Sequence, residues 1–252
     1  MHTARSVGTA ALLSVMLAGA LPGCGFKIEP DPAFTAAHQP APGTNAARER
    51  SMREQSIQRL LSMAASRNAQ VRANAIEGLE AAGLRAEPAV ALGLQDENPG
   101  VRSVAAMVAA RAGIAALAPT LRDLTRDESE FVRASALAAL FILGEPVDPS
   151  ELSTLVLESR NPRVRAHAAF LLGEMGDRTA APMLRQAWQT PIRDASEIER
   201  RLLRLQIAEA LVKLGDDTSM DAIRAALYPA RPDELEATAL AIQIIGEGQD
   251  RG

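Results

Sequence analysis

Residues able to carry out covalent, acid–base or metal chemistry are few in this chain. It has one cysteine, Cys24, and three histidines, of which His167 alone lies within the repeated part of the sequence. A lone imidazole without cysteine or second-histidine partners does not make a metal site, although His167 could hydrogen-bond Glu174 or titrate near neutral pH. No nucleophile stands in a recognisable motif with a histidine and an acid. The sequence therefore predicts no enzyme, no cofactor and no bound metal.

The chemical group that does recur is a guanidinium. A Val-Arg pair opens a short run of small and apolar residues, and a glycine closes it twelve residues after the valine. Successive copies begin 30, 31, 32, 39 and 31 residues apart, at Val71, Val101, Val132, Val164, Leu203 and, more faintly, Glu234. A period of 30 to 40 residues is typical of a solenoid built from one repeated supersecondary unit.

Each repeat has the pattern of two helices joined by a turn. The predicted first helices are Arg48–Ala65, Pro88–Gln95, Leu117–Arg126, Ser150–Ser159, Ala181–Gln189 and Ser219–Tyr228. Asparagine stands three residues before the valine in three repeats, as an N-cap should, and proline follows two of these asparagines at the first helical position. Aromatic residues are only 3% of the chain and alanine is abundant, which favours closely packed helices over a β-sandwich.

The arginine after each valine, position 1 when the valine is position 0, recurs in five repeats. A cation near a helix N-terminus opposes the helix dipole, so nearby acids are expected to compensate it. The candidate acids are Asp96, Glu97, Asp127, Glu128, Glu158 and Asp194. Either a structural ladder fixes the angle between repeats, or the arginines form an anion-binding row. The structural ladder is the preferred interpretation, with Arg72, Arg102, Arg133, Arg165 and Arg204 as its members.

Positions 3, 6 and 10 of the second helices fall together on one side, away from the stripe at positions 0, 4, 8 and 11 that is predicted to be buried. These positions differ most between repeats, with apolar residues in the middle repeats and polar ones at the ends. An apolar patch with a polar rim is typical of a protein-binding surface. The predicted partner-binding residues are Val104, Met107, Arg111, Ile142, His167, Phe170 and Glu174. The alternative is that these side chains pack on first helices or on neighbouring repeats.

The beginning of the chain has the pattern of a targeting segment. A weakly positive start precedes the apolar run VGTAALLSVMLAGAL, which is too short for a confident membrane span and ends in Leu21-Pro22-Gly23-Cys24. This segment resembles a bacterial lipoprotein signal. The resemblance implies a signal peptide over residues 1–23, cleavage before Cys24 and acylation of that cysteine, which would anchor the protein to a membrane. The alternatives are an ordinary secreted protein with a leftover thiol, or an uncleaved anchor.

Residues 24–46 are predicted to be the lipidated cysteine and a disordered tether. Four prolines at 30, 32, 40 and 42 break any helical or strand period, and the surrounding residues are mostly small. Phe26, Ile28 and Phe34 could instead bind a partner. Residues 47–248 form the predicted repeat domain. Gly25, and no aspartate, follows the cysteine, which favours the outer membrane, facing the periplasm, over the inner membrane and the cell surface.

The motif NPRVRAHAAFLLGEMGD at residues 161–177 resembles HEAT-like repeats, especially the short variety described as similar to phycobilin-lyase repeats. The resemblance covers about 200 residues and implies an all-α fold, a right-handed α-solenoid of about six helical hairpins. First helices would lie on the convex side and second helices would line the concave side. The last repeat, with Glu234, Leu235 and Glu236, is predicted to be a polar cap. The insertion Thr190–Arg201 is predicted to be a solvated extension of a helix or loop, with a functional lip as the alternative.

These patterns favour a lipid-anchored scaffold in the bacterial cell envelope that binds a protein or peptide partner through its concave face. One alternative is a bilin lyase-like enzyme or lyase subunit, which the lyase-like repeats would imply. The other is a structural envelope spacer in which the repeats only provide length. The net charge of −4 argues against a nucleic-acid partner, which would require a strongly basic face.

Overall fold

The computed structural model describes residues 45–193, 195–228 and 235–249. The predicted signal peptide, Cys24 and nearly all of the predicted tether lie outside these ranges. The described residues form twelve α-helices and no β-strand. Consecutive helices pair as hairpins, and the hairpins stack in chain order. The predicted all-α solenoid of six helical hairpins is therefore confirmed.

The first helices of the hairpins make an outer row, and the second helices make an inner row. The outer row is α1 (Asn45–Met63), α3 (Glu87–Gly93), α5 (Ala118–Leu124), α7 (Ser150–Glu158), α9 (Ala181–Gln189) and α11 (Met220–Ala226). The inner row is α2 (Ala69–Gly78), α4 (Pro99–Arg111), α6 (Glu130–Ile142), α8 (Pro162–Met175), α10 (Glu197–Lys213) and α12 (Leu235–Gln249). Most of the predicted outer helices are a few residues too long at one or both ends, while α9 agrees with its predicted bounds.

Side-chain caps and glycines explain where the inner helices begin and end. The Oδ1 atoms of Asn68 and Asn98 each accept a hydrogen bond of 2.9 Å from the backbone N–H two residues later, and Asn161 accepts one of 3.0 Å. Beyond the other end of α8, Gly176 has a φ of 70°, in the left-handed region that favours glycine. The predicted asparagine caps are therefore confirmed.

The insertion between repeats 4 and 5 mainly lengthens an inner helix. Helix α10 starts at Glu197, six residues before the predicted repeat start at Leu203. Its N-terminus has a capping box, in which Ser196 N–H donates to Glu199 at 2.9 Å and Glu199 N–H donates to Ser196 Oγ at 3.3 Å. The insertion is not wholly solvated, because Ile192 is only 7% exposed.

A single apolar cluster runs through the stack from Ile57 to Ile244, and the inner helices supply most of it. In α8 every residue from Val164 to Gly173 is buried. Helices α8 and α10 approach closely at a glycine: a Cβ placed on Gly173 would lie 2.8 Å from the Cα of Ala210. Small residues at this contact therefore set how closely repeats 4 and 5 stack.

We expect Gly173→Ala to lower the free energy of unfolding by about 1–3 kcal/mol, because the new methyl group would push the backbones of α8 and α10 apart. The matched control is Gly246→Ala in α12, where a Cβ would meet nothing within 4 Å. Alanine there should raise stability by about 0.5–1 kcal/mol through its higher helix propensity. Chemical denaturation measures both changes. Equal effects of the two substitutions would contradict close packing at Gly173.

Candidate functional site

The arginine after the first valine connects its own repeat to the next one. Arg72 Nε and Nη2 donate to the two carboxylate oxygens of Asp96 in the second repeat, both at 2.7 Å. Arg72 Nη1 donates to the carbonyls of Ser66 at 2.9 Å and Arg67 at 3.2 Å, in the turn before its own helix. One planar guanidinium therefore ties the turn of repeat 1 to the turn of repeat 2.

The same geometry recurs at the next junction. Arg102 Nε and Nη2 donate to the carboxylate of Asp127, both at 2.9 Å. Arg102 Nη1 donates to the backbone carbonyl of Asp96 at 2.8 Å. Asp96 therefore binds two arginines: Arg72 through its carboxylate and Arg102 through its carbonyl. Asp127 also accepts a hydrogen bond from Ser129 N–H at 2.9 Å, and thereby shapes the turn before α6. At the third junction Arg133 pairs with Glu151 on α7 at 2.7 Å.

The last two predicted members of the ladder depart from this pattern. Arg165 is 7% exposed and donates from Nε to the Ser159 carbonyl at 2.7 Å, while its buried Nη1 has no hydrogen-bond partner. Burial lowers the pKa of its guanidinium. Arg204 is exposed and lies well inside α10, because the insertion moved the start of that helix to Glu197. Arg204 is therefore not an N-terminal arginine of the predicted kind.

A second set of polar groups lies inside the inner row and contains His167. Ser103 Oγ lies 2.8 Å from Ser135 Oγ, which lies 2.8 Å from His167 Nε2. His167 also hydrogen-bonds the backbone of Phe131, so the imidazole has partners on both sides. Burial is the main reason that the pKa of His167 falls to about 4, with the positive charge of Arg111 adding to it against the Phe131 bond. The imidazole is neutral at neutral pH. Its side-chain partner is Ser135, and the hydrogen bond to Glu174 that the sequence suggested is not formed.

Glu174 belongs instead to a charged chain across the inner face. Arg111 in repeat 2 lies 3.5 Å from both Glu80 in repeat 1 and Glu174 in repeat 4. Glu174 accepts a 2.7 Å bond from Lys213, which also contacts Glu209. Burial alone would lower the pKa of Lys213, but Glu209 and Glu174 outweigh it and raise that pKa. Since Arg111 reaches across repeat 3, the inner row lies on the concave side of a strongly curved stack.

The predicted partner-binding surface is not open to solvent in its middle. Val104, Met107, His167 and Phe170 are 0–3% exposed. The side chains of Arg111 and Glu174 are 10% and 11% exposed, and Ile142 is partly buried. Part of the cover comes from neighbouring inner helices. Lys213 lies over the ring of Phe170 at 4.7 Å, and the Phe131 ring lies 5.4 Å from the His167 ring. The expectation that positions 3 and 6 lie free of packing is therefore wrong for these four residues.

In the last repeat, an apolar position of the inner helix that is buried in the other repeats is exposed to solvent. Position 8 of the inner helix is 0–5% exposed in the first five repeats, where it is occupied by Leu79, Ala109, Leu140, Leu172 and Leu211. Its counterpart in α12, Ile242, is 60% exposed, and Leu235 at the start of that helix is 63% exposed. Tyr228, after α11, is 81% exposed. The end of the solenoid is therefore apolar, and the predicted polar cap is wrong for this face.

Several buried polar residues were not singled out by the sequence. Ser103, Ser135, Gln206 and Glu209 are 0–3% exposed although their types are usually found at the surface. Position 3 does hold a polar residue in four of the first five repeats, which was a signal of a polar row. The contact between Ser103 and Ser135 could not be predicted from the repeat pattern, because the two serines occupy different positions, 2 and 3, of their helices. Only the stacking of the helices brings the two hydroxyls together.

Two kinds of feature were sought among the described residues: a cluster of metal-ligating side chains and a helix able to cross a membrane. Within residues 45–193, 195–228 and 235–249, no group of three or more metal-ligating side chains could hold an ion. In the same ranges, no helix has both the length and the apolar character needed to cross a membrane.

Comparison with known proteins identifies the repeated unit. The family model described as HEAT repeats matches the chain three times, over residues 57–141, 86–159 and 149–243. Together these overlapping matches cover most of the described residues. No curated protein sequence is similar enough to this chain to count as a match.

Two solved structures of engineered proteins are similar to parts of the chain. The first is 17% identical, covers 76% of this chain and 97% of its own, and has a TM-score of 0.34. The second is 18% identical, covers 82% of this chain and 61% of its own, and has a TM-score of 0.33. Both TM-scores lie below 0.5, and neither likeness bears on the architecture or the function.

We expect Asp127→Ala to lower the free energy of unfolding by about 3 kcal/mol, because it leaves the nearly buried guanidinium of Arg102 without its anion. The matched control is Asp221→Ala, which removes the partner of Arg224 in a pair that is exposed on both sides. Such a surface pair contributes little, so this control should leave stability unchanged. Equal losses in urea denaturation would show that Asp127 is not the anchor of its junction.

The low pKa of His167 predicts a loss of stability in acid. The folded protein keeps this imidazole neutral down to about pH 4, whereas the unfolded chain protonates it near 6.5. Its contribution is therefore fully present above pH 6.5 and is lost as the pH falls from 6.5 to 4, by up to about 3 kcal/mol. His167→Asn should flatten this part of the stability curve, measured by denaturation at each pH. Parallel curves for the two proteins would assign the acid sensitivity to other groups.

Proposed function

The chain belongs to the HEAT-repeat family, and on that premise we propose that it is a non-catalytic scaffold that binds another protein in the bacterial cell envelope. HEAT repeats typically serve as protein-interaction scaffolds. A stack of repeats gains stability from nearest-neighbour contacts and offers extended surfaces to a partner. The proposal assigns the docking surface to the last repeat, in place of the covered concave face.

The observation that carries this assignment is the exposure of Ile242. The residues at the same position in the five other repeats are 0–5% exposed, whereas Ile242 is 60% exposed. No described helix follows α12, so Ile242, Leu235 and the nearby Ala239 form an exposed apolar stripe on one face of this helix. Apolar side chains clustered at the end of a repeat stack are a ready contact for another protein.

A lipid anchor on Cys24 is the second part of the proposal, supported by the lipoprotein-like segment ending in Leu21-Pro22-Gly23-Cys24. An anchored domain with the intervening tether would remain beside the membrane while its far end contacts a partner. We therefore propose the cell envelope as the location, with the outer membrane facing the periplasm as the favoured site.

The burial of the only imidazole in the described residues supports the absence of catalysis. Ser103, Ser135 and His167 resemble a hydroxyl–imidazole relay in their spacing, but each is at most 3% exposed. A substrate cannot reach these atoms, and the neutral imidazole is satisfied by its two neighbours. In the proposed scaffold this hydrogen-bonded chain joins repeats 2, 3 and 4 and has a structural role.

The docking surface is tested by placing a photo-reactive amino acid at position 242 of the full chain in intact cells. We expect one defined crosslinked species from Ile242, and loss of that species when Leu235→Asp is added. The matched control is the same photo-reactive residue at Thr154, which is exposed on the outer helix α7. Identical products from both positions, or none from position 242, would contradict docking at the last repeat and would favour a spacer.

The anchor is tested separately by labelling cells with a fatty-acid analogue. The wild-type protein should carry the label and sediment with membranes, and Cys24→Ser should abolish both because no other cysteine is available. Label retained in the Cys24→Ser variant would reject acylation at this residue. This outcome is independent of the crosslinking result.

A further inference from the structure

The exposed side of α12 alternates large and small residues. This side (the α12 surface) consists of Leu235, Ala239, Ile242 and Gly246, which lie four, three and four residues apart and are all exposed. Leu235 is 63% and Ile242 is 60% exposed, while a Cβ placed on Gly246 would meet nothing within 4 Å. Residues at this spacing fall on one side of a helix, as the contact positions of a coiled coil do. The α12 surface therefore has two apolar projections, each followed by an open place.

The α12 surface is complementary to itself when two copies of the helix pack antiparallel. Its spacing is the same in both directions along the helix, so a two-fold axis places Leu235 of one copy opposite Gly246 of the second copy. The same axis places Ala239 opposite Ile242 of the second copy. Each large side chain then meets a small residue, which allows close packing without overlap. A parallel pair would bring isoleucine against isoleucine and glycine against glycine, which holds the helices apart at one level and leaves a gap at another.

The solenoid packs its own helices in the same way. In repeat 1 the Leu60 side chain of α1 lies over Gly78 of α2, where a Cβ would be 3.1 Å from Leu60 Cδ2. Between repeats 1 and 2, Ile76 of α2 lies over Gly93 of α3, where a Cβ would be 2.6 Å from Ile76 Cδ1. A branched side chain seated on a glycine is thus a contact that this chain already uses, and Gly246 offers the same seat on an exposed face.

Charge favours the antiparallel orientation as well. Glu236 is exposed beside Leu235. In an antiparallel pair, Glu236 of the second copy lies level with Ile245, nine residues along the helix and about 13 Å away. That distance exceeds the Debye length of about 8 Å at physiological salt, so the two carboxylates repel each other only weakly. A parallel pair would place them side by side.

The first repeat does not match the α12 surface. Its outer helix α1 exposes mainly polar and charged side chains, including Arg53 and Glu54, and its inner helix α2 exposes Asn74. Glu54 is also engaged by Arg85 at 2.8 Å. Covering this end with the apolar end of another copy would desolvate charged groups. Head-to-tail growth into a filament is therefore disfavoured, and a closed pair of two equal ends is favoured.

We propose that the α12 surface binds a second copy of this chain, with the two α12 helices antiparallel about a two-fold axis. This inference rests on the proposed docking surface at the last repeat and names the partner that occupies it. Because both copies use the same surface, the contact closes on itself and yields a dimer. The dimer joins two solenoids at their apolar ends and leaves both first repeats exposed.

The test uses two full-length copies with different affinity tags, expressed together, extracted in mild detergent and purified through one tag. Wild-type copies should co-purify. When both copies carry Ala239→Ile, isoleucine meets isoleucine at both contacts, and recovery of the second copy should fall about tenfold. When both carry Ile242→Ala, alanine meets alanine, and a similar loss is expected because the large side chains are missing.

The decisive pair combines one copy of each variant. In an antiparallel contact, the Ala239→Ile copy and the Ile242→Ala copy place one isoleucine against one alanine at both levels. This mixed pair should therefore co-purify almost as well as wild-type copies do, which also shows that both variants fold. The matched control is Thr154→Ile in both copies, which adds the same side chain on the exposed outer helix α7 and should leave co-purification unchanged.

Two results of this experiment would overturn the proposal. One is the failure of wild-type copies to co-purify. The other is a mixed pair as weak as the two single-variant pairs, which would show that residues 239 and 242 do not face each other across the contact.

The photo-reactive residue at position 242 separates this failure from failure of the proposed function. A crosslinked product that carries both tags supports the dimer. A product of one copy with a different protein overturns the dimer and retains the docking surface. A link within a single copy would show that another segment of the chain covers the surface, and that result, like the absence of any product, would reject both proposals.

Discussion

The stacking of this solenoid depends on a guanidinium that must be held by two repeats at once. A hairpin of two short helices cannot bury its own apolar face, so each repeat needs a neighbour at a fixed angle. Apolar contacts supply most of the free energy but allow sliding, because small aliphatic side chains pack in several registers. The Arg102–Asp127 pair removes that freedom, since the fork engages both carboxylate oxygens and two carbonyls of its own turn.

The inner row adds a second constraint because it buries polar groups that must all find partners. Ser135 contacts Ser103 on one side and His167 on the other, so three repeats share one hydrogen-bonded chain. Removing any member would leave a buried group unsatisfied, which costs more than the bond itself contributes. The charged chain from Glu80 to Lys213 adds ion pairs near the other end of the inner helices, although Arg111 Nε and Nη2 make no hydrogen bond there. These contacts favour a single curvature for the stack.

For function, the consequence is that the middle of the inner row is buried, whereas the last inner helix has exposed apolar side chains. The buried interior contains the only imidazole of the described residues and most of the residues first expected to meet a partner. The end of the stack leaves Ile242 exposed at a position that every earlier repeat covers.

The sequence by itself determined the repeat, the helical hairpins and the caps, because these depend on interactions between residues close in the chain. Asn161 caps its helix and Gly176 ends it whatever the neighbouring repeats do. Only the tertiary structure decided which faces are covered. Phe170 and Ile242 are both apolar residues of inner helices, yet one lies under Lys213 and the other is exposed. Their exposures differ because of the curvature of the stack and the position of each repeat in it. The residue pattern within one repeat carries no information on either. Arg165, one of five arginines predicted to be alike, also differs from the first three: it bonds the carbonyl of Ser159 and no acid among the described residues, because contacts across a junction depend on how two repeats stack.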